Sequence, residues 1–141
     1  MATLAADSVR QYGHNIDPQF NDLPVIADDI IYEGAAVGDN GSGGARPLEA
    51  GDPFWGFAER QADNAGGSAG DINVHVRSRG EVVLAVTGVE DADDIGEVVY
   101  ASDDDTFTLT AGANTDIGKV VRHISSTTCV VYFEADYLQS L

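Results

Sequence analysis

Apolar side chains at Ile72, Val74, Val76, Val82, Leu84 and Val86 occupy even positions only, with Ser78 and Gly80 completing the series, while Asn73, His75, Arg77, Arg79 and Glu81 fill the odd ones. A period of two held over this length belongs to a half-buried β-strand; a helix would return its apolar side chains every three or four residues. Residues 71–88 therefore predict one long strand bent at Gly80, or two strands folded there. Either arrangement puts His75, Arg77 and Arg79 on one face, expected to be exposed, as the only basic cluster of the chain. Such a cluster suits the acids of a neighbouring subunit.

The flanking sequence is also strand and turn, and no helical period lasts three turns. Residues 25–33 read as a strand ending near Gly34. Residues 38–44, Gly-Asp-Asn-Gly-Ser-Gly-Gly, read as a hairpin loop. As a phosphate cradle this loop lacks the Lys-Ser or Lys-Thr ending of a P-loop, and as a calcium loop it lacks the alternating acids and closing Glu. In Asp52-Pro53-Phe54-Trp55-Gly56-Phe57-Ala58-Glu59, alternation sends Trp55 and Phe57 to one face and Phe54 to the other. These rings are either core with one half-exposed member, or a hydrophobic patch through which Phe54 and Trp55 meet a protein neighbour.

An internal echo gives the architecture. Asp94-Ile95-Gly96-Glu97-Val98-Val99 returns 22 residues later as Asp116-Ile117-Gly118-Lys119-Val120-Val121, with five identities in six. Each copy opens a hairpin, the first turning through Ser102, Asp103, Asp104 and Asp105, the second through Ser125 and Ser126. Tandem hairpins favour closure, because closure leaves no unpaired edge. The expected fold is all-β: a small antiparallel β-barrel or a sandwich of hairpins, over residues 25–141.

Residues 1–24 form a separate opening segment, read as an extended arm with one short helical turn. Val9, Tyr12, Ile16, Phe20 and Leu23 would make a helical stripe, but Gly13 and Pro18 interrupt it. The arm is either a frayed terminus or a segment that orders on a partner, and its apolar anchors Val9, Tyr12, Ile16 and Phe20 are the candidate contacts.

Charge narrows the partners. Twenty-four acids, 17 of them Asp, stand against 7 bases, for a net charge of -17. Direct binding to nucleic acid or to an anionic membrane is not expected, since both repel such a chain. The acids keep a crowded protein soluble, or follow a saline habitat where salt screens their repulsion. Asp103, Asp104 and Asp105 read as a solvated turn, and no metal or cofactor is expected. The single cysteine, Cys129, lies in an apolar run and reads as a small buried hydrophobe. Residues 1–11 contain no apolar run of signal-peptide length, and no stretch approaches a membrane span, so synthesis in a reducing cytosol is expected. His14, His75 and His123 are not paired in sequence with a nucleophile, and no HExxH, GxSxG or CxxC pattern occurs. The chain reads as a binding or structural protein, not an enzyme.

Several phrases carry a resemblance. Ile31-Tyr32-Glu33-Gly34-Ala35-Ala36-Val37-Gly38, Arg46-Pro47-Leu48 and Gly51-Asp52-Pro53-Phe54-Trp55-Gly56-Phe57-Ala58 come first. Val74-His75-Val76-Arg77-Ser78-Arg79-Gly80, Gly96-Glu97-Val98-Val99-Tyr100-Ala101-Ser102-Asp103-Asp104 and Ile117-Gly118-Lys119-Val120-Val121-Arg122 follow. Together, over residues 31–135, they resemble the capsid decoration, or cement, proteins of tailed double-stranded DNA bacteriophages. The resemblance implies a β-rich homotrimer, made in the host cytoplasm and seated on the outside of the virion at threefold and quasi-threefold positions. There it would clamp the major capsid protein against the pressure of packaged DNA. It also implies an arm that reaches the shell or the next subunit, and no catalytic residues. The alternative is a carbohydrate- or protein-binding β-barrel module, with Trp55 and Phe57 as a stacking platform.

Overall fold

The computed structural model describes residues 3–139. In chain order the strands are β1 (Gln19–Pro24), β2 (Ile30–Ile31), β3 (Ala36–Asp39), β4 (Ala45–Pro47), β5 (Phe54–Ala58) and β6 (Ala62–Asp63). They continue with β7 (Asn73–Thr87), β8 (Val98–Ala101), β9 (Phe107–Thr108), β10 (Thr115–Ser125) and β11 (Thr128–Glu134). A 3-10 turn spans Ala92–Asp94 and one helical turn, α1, spans Asp136–Gln139. The protein is all-β, built on a closed five-stranded barrel with extra strands.

The alternating segment is the spine of the molecule, one strand of 15 residues running through Gly80 without a break. The C-terminal half of β7 pairs with β11 on one edge and with β9 near its end, and the order β7-β11-β10-β8-β9 returns to β7. Only the β7–β9 step is parallel. Even-numbered side chains of this half, Val82, Leu84 and Val86, point inward onto Val99, Ile117, Val131 and Phe133. Alternation thus does two jobs, filling the barrel and keeping charged side chains off its axis. The N-terminal half of β7 extends beyond the barrel and continues through β5, β3 and β4 over a second core. Val25, Ile31, Val37, Val74 and Val76 fill that core, and the small pair β2–β6 stands beside it.

The echo has a structural counterpart. Its two copies pair with each other: Val99 lies opposite Gly118 and Val98 opposite Lys119 in the β8–β10 ladder. At Gly118 the backbone of β10 passes so close to β11 that a Cβ would collide with the carbonyl oxygen of Tyr132. The loop at residues 38–44 joins β3 to β4 as a hairpin, as expected. Asp39 Oδ1 accepts from the N–H groups of Gly41 and Gly43, and Asn40 Oδ1 from those of Ser42 and Gly44. These four donors are spent within the loop and do not converge on an outside anion.

Two local expectations fail. Residues 25–33 do not make one strand, because the chain turns at Ala27 and Asp28, where Asp28 takes φ 53° and donates to the carbonyl of Gly67. Only Ile30–Ile31 is extended and paired, and Val25 contributes an isolated bridge to Ala45. Alternation also breaks in β5. Val37 lies opposite Gly56 and Gly38 opposite Phe54, so Trp55 is an extra residue at a bulge. Gly56 supplies the required backbone, with φ 111° and a close pass over the Arg77 carbonyl. The bulge turns Phe54 to the same side as Phe57, and both are fully buried, at 1% and 0% exposure.

Candidate interaction surface

The opening segment does not hang free. It runs across the barrel as a strap, and β1 pairs antiparallel with β7, from Gln19 opposite Arg79 to Pro24 opposite Asn73. Farther back, Tyr12 bridges Val82, Gly13 donates to the Glu81 carbonyl at 2.9 Å and Val83 donates to that of Gln11 at 2.9 Å. The short helical turn expected here is absent; residues 14–16 bend instead. The strap therefore completes the β7 edge that the brief β7–β9 pairing leaves open, which satisfies backbone groups that would otherwise face solvent unpaired.

The odd-numbered basic face of β7 lies beneath this strap, contrary to the expectation of an exposed cluster. Arg77 places its guanidinium carbon 3.9 Å from the Tyr12 ring centre and 5.1 Å from that of Phe20, and it bonds Glu59 at 3.2 Å. Phe20 stacks on His75 with centroids 5.5 Å apart and rings 6° from parallel, and His75 Nδ1 lies 2.9 Å from Asp22. Arg79 donates to the Tyr132 hydroxyl at 3.1 Å and lies 3.9 Å from Glu134. In the stack of His75, Phe20, Arg77 and Tyr12, the Arg77 cation faces the rings of both Tyr12 and Phe20, and Phe20 stacks ring on ring with His75. Burial, then the Glu59 charge, pushes the Tyr12 phenol well above its ordinary range, so it stays neutral.

Arg10 does work that its sequence position did not announce. Its guanidinium carbon sits 5.5 Å from both the Phe57 and Phe107 ring centres, at the edge of the barrel core. Its Nε donates to the Gly34 carbonyl at 2.8 Å and its Nη2 meets Asp105 at 2.7 Å. Asp105 belongs to the triple-aspartate turn, which is not the solvated turn expected. Asp104 is fully buried and accepts from the backbone N–H groups of Thr3 and Leu4, while the Thr3 hydroxyl bonds Asp103. Three consecutive carboxylates thus hold the strap at Thr3, Leu4 and Arg10. Burial raises the pKa of Asp104 above the ordinary carboxylate value. At Asp103 burial acts the same way but is outweighed by hydrogen bonds from Thr3, Asp105 and Thr106, so its pKa falls below that value.

Of the candidate contact residues, Tyr12, Phe20, Arg77 and Arg79 are brought together along the strap. Phe54 is not a surface group; its ring packs edge-on against Phe57 and Phe133 in the barrel core. Trp55 is half-buried against the second core, away from the stack. Ile16 is half-buried in the bend, and Val9 is 83% exposed. Because Phe57 is buried, it cannot form a sugar-stacking platform with Trp55. Sequence reasoning missed Arg10 and the aspartate clasp, whose partners lie 95 to 101 residues away. The available signal was one: Arg10 is the only Lys or Arg in the opening 45 residues.

His123 stands opposite Cys129 in the β10–β11 ladder, yet desolvation pushes the Cys129 thiol up to about 11, away from the reactive thiolate. Among the described residues no group of three or more His, Cys, Asp or Glu is placed to hold a metal ion, and no helix is long and apolar enough to cross a membrane. No protein-family model matches the chain, and no significant match to a curated protein was found.

Proposed function

We propose that this protein is a structural capsid decoration protein, a homotrimer that binds the outer surface of an expanded phage head at threefold and quasi-threefold sites. Its partner is the major capsid protein, and it stabilises the shell against internal DNA pressure. The observation that carries this reading is the strap. A long polar segment lies extended across a closed barrel, clasped at one end and laddered at the other, with Val9 and Phe20 left facing outward. A rigid body bearing an external strand is suited to bridging neighbours, because little conformational entropy remains to be lost on contact. The sequence phrases resembling the decoration family add to it, since most of them form β3, β5, β7, β8 and β10. Seating as a trimer would multiply weak contacts into tight attachment.

Four of the seven bases, Arg10, Arg46, Arg77 and Arg79, are engaged in ion pairs within the chain. Each of these pairs also uses an acid, so the charge left over is still the -17 of the composition, which agrees with a position away from packaged DNA. The test is direct. Purified protein added to expanded capsids that lack it is expected to saturate threefold and quasi-threefold sites in equal copy and to raise the temperature at which the shells rupture. Absence of binding overturns the proposal.

A further inference from the structure

Large apolar side chains lie exposed at one end of the barrel, on the side of the acidic loop that follows β7. That loop is held to the β10–β11 hairpin at both ends: Thr127 donates to the Val89 carbonyl at 3.0 Å, and Gly96 donates to that of Val120 at 2.8 Å. The loop therefore runs alongside the last turns of β10. Ile95 on the loop is 50% exposed, and Val121 and Ile124 on β10 are 39% and 51% exposed. Val121 and Ile124 are each skipped in the ladder with β11, at two irregularities that interrupt the in-out alternation of the strand. Ile95 follows the 3-10 turn directly as its C-terminal cap and stays half exposed there.

We infer that Ile95, Val121 and Ile124 form a docking face for the shell protein, on a patch of that protein with an apolar centre and a rim rich in Lys and Arg; this rests on the decoration reading above. Charge chooses the occupant. Glu90, Asp93 and Glu97 are exposed on the same loop. A second copy of this chain could set only Lys119 and Arg122 against the loop acids Glu90, Asp91, Asp93, Asp94 and Glu97, and with a net charge of -17 on each copy the unmatched like charges repel. A basic rim is attracted instead, and Lys119 and Arg122 on β10 leave the acids concentrated on the loop side, which gives the contact a direction. Apolar centre and charged rim together match the anatomy of a protein interface.

The test compares the intact protein with the pair Ile95→Asp and Ile124→Asp on expanded capsids lacking the protein. The pair is expected to lose at least tenfold in affinity while its melting temperature and oligomeric state stay unchanged. Reversing the rim with Glu90→Lys, Asp93→Lys and Glu97→Lys is expected to weaken binding most at low salt, where steering acts. Should the aspartate pair misfold, Ile95→Ser with Ile124→Ser is read by the same criterion. Binding of the folded pair within twofold of the intact protein overturns this face and leaves the decoration reading standing. Loss of trimer in the pair also overturns it, by making the face a contact between copies. Failure of the intact protein to bind overturns both.

Discussion

The guanidinium of Arg77 lies face-on over the Tyr12 ring, 3.9 Å from its centre, and so ties the strap to the spine of the barrel through two residues 65 positions apart. A cation held this close and largely out of water is worth about 0.5–2 kcal/mol. A double-mutant cycle isolates it. Tyr12→Leu and Arg77→Met are each expected to destabilise the protein, and urea denaturation of the two singles and the double is expected to give a coupling of about 1 kcal/mol. A coupling near zero would show that the ring and the cation are merely neighbours.

Neighbouring aspartates in the clasp should respond to pH in opposite directions. Asp104 has a folded pKa raised by burial, so the native state keeps a proton that the unfolded chain has lost. Stability falls as pH rises between the unfolded and folded values, and above the folded value the penalty is complete. Asp104→Asn removes that penalty, and melting temperatures are expected to favour the variant at neutral pH, with the advantage vanishing in acid. Asp103 is depressed, so its contribution is present above the unfolded carboxylate pKa and disappears as pH falls through the folded one. Asp103→Asn is therefore expected to lose stability at neutral pH and to match the parent in acid.

How far the fold could be read from the residues depends on how far apart its causes lie. The spine was legible from Ile72 to Val86 because one strand carries its own alternation, and the hairpins of β8–β9 and β10–β11 because a turn and its strands are adjacent. Alternation misplaced Phe54, since a single bulged residue shifts every side chain beyond it to the other face. Gly56 between aromatics was the local sign of that bulge. Nothing local could have tied Asp104 to Thr3 and Leu4. A carboxylate on a turn looks solvated until a distant segment is laid over it, and for the same reason the Arg77 face looked exposed. Charge on a strand face reports polarity, not access.

Gly118 should tolerate no side chain. Gly118→Ala places a Cβ against the Tyr132 carbonyl, and both are ladder backbone that cannot swing aside. Overpacking of this kind is expected to cost about 3 kcal/mol or more. Gly66 has open space around it, so Gly66→Ala is expected to cost only about 1–2 kcal/mol from its left-handed backbone. Chemical denaturation of the two variants side by side checks the difference.

Cys129 should be silent until the barrel opens. With the thiol pKa pushed up to about 11, roughly one thiol in ten thousand is ionised at neutral pH, and the group is buried as well. A thiol-reactive dye is expected to label the native protein at the rate of unfolding and the denatured protein at once. Labelling of the native protein as fast as a free thiol would mean that this end of the barrel is open.

The clasp fixes an order of events during synthesis. Thr3 leaves the ribosome 100 residues before Asp103, its hydrogen-bond partner. At roughly 5–20 residues per second, the opening segment waits about 5–20 s for the turn that will hold it. Its strand partner β7 also emerges later, so β1 cannot pair at once. Throughout that interval the nascent chain carries an unpaired strand, Gln19–Pro24, whose polar Gln19, Asn21 and Asp22 and whose Pro24, lacking an N–H, resist pairing with other chains on the same message. The polar character of the strap thus protects the molecule before it has a fold, as well as after.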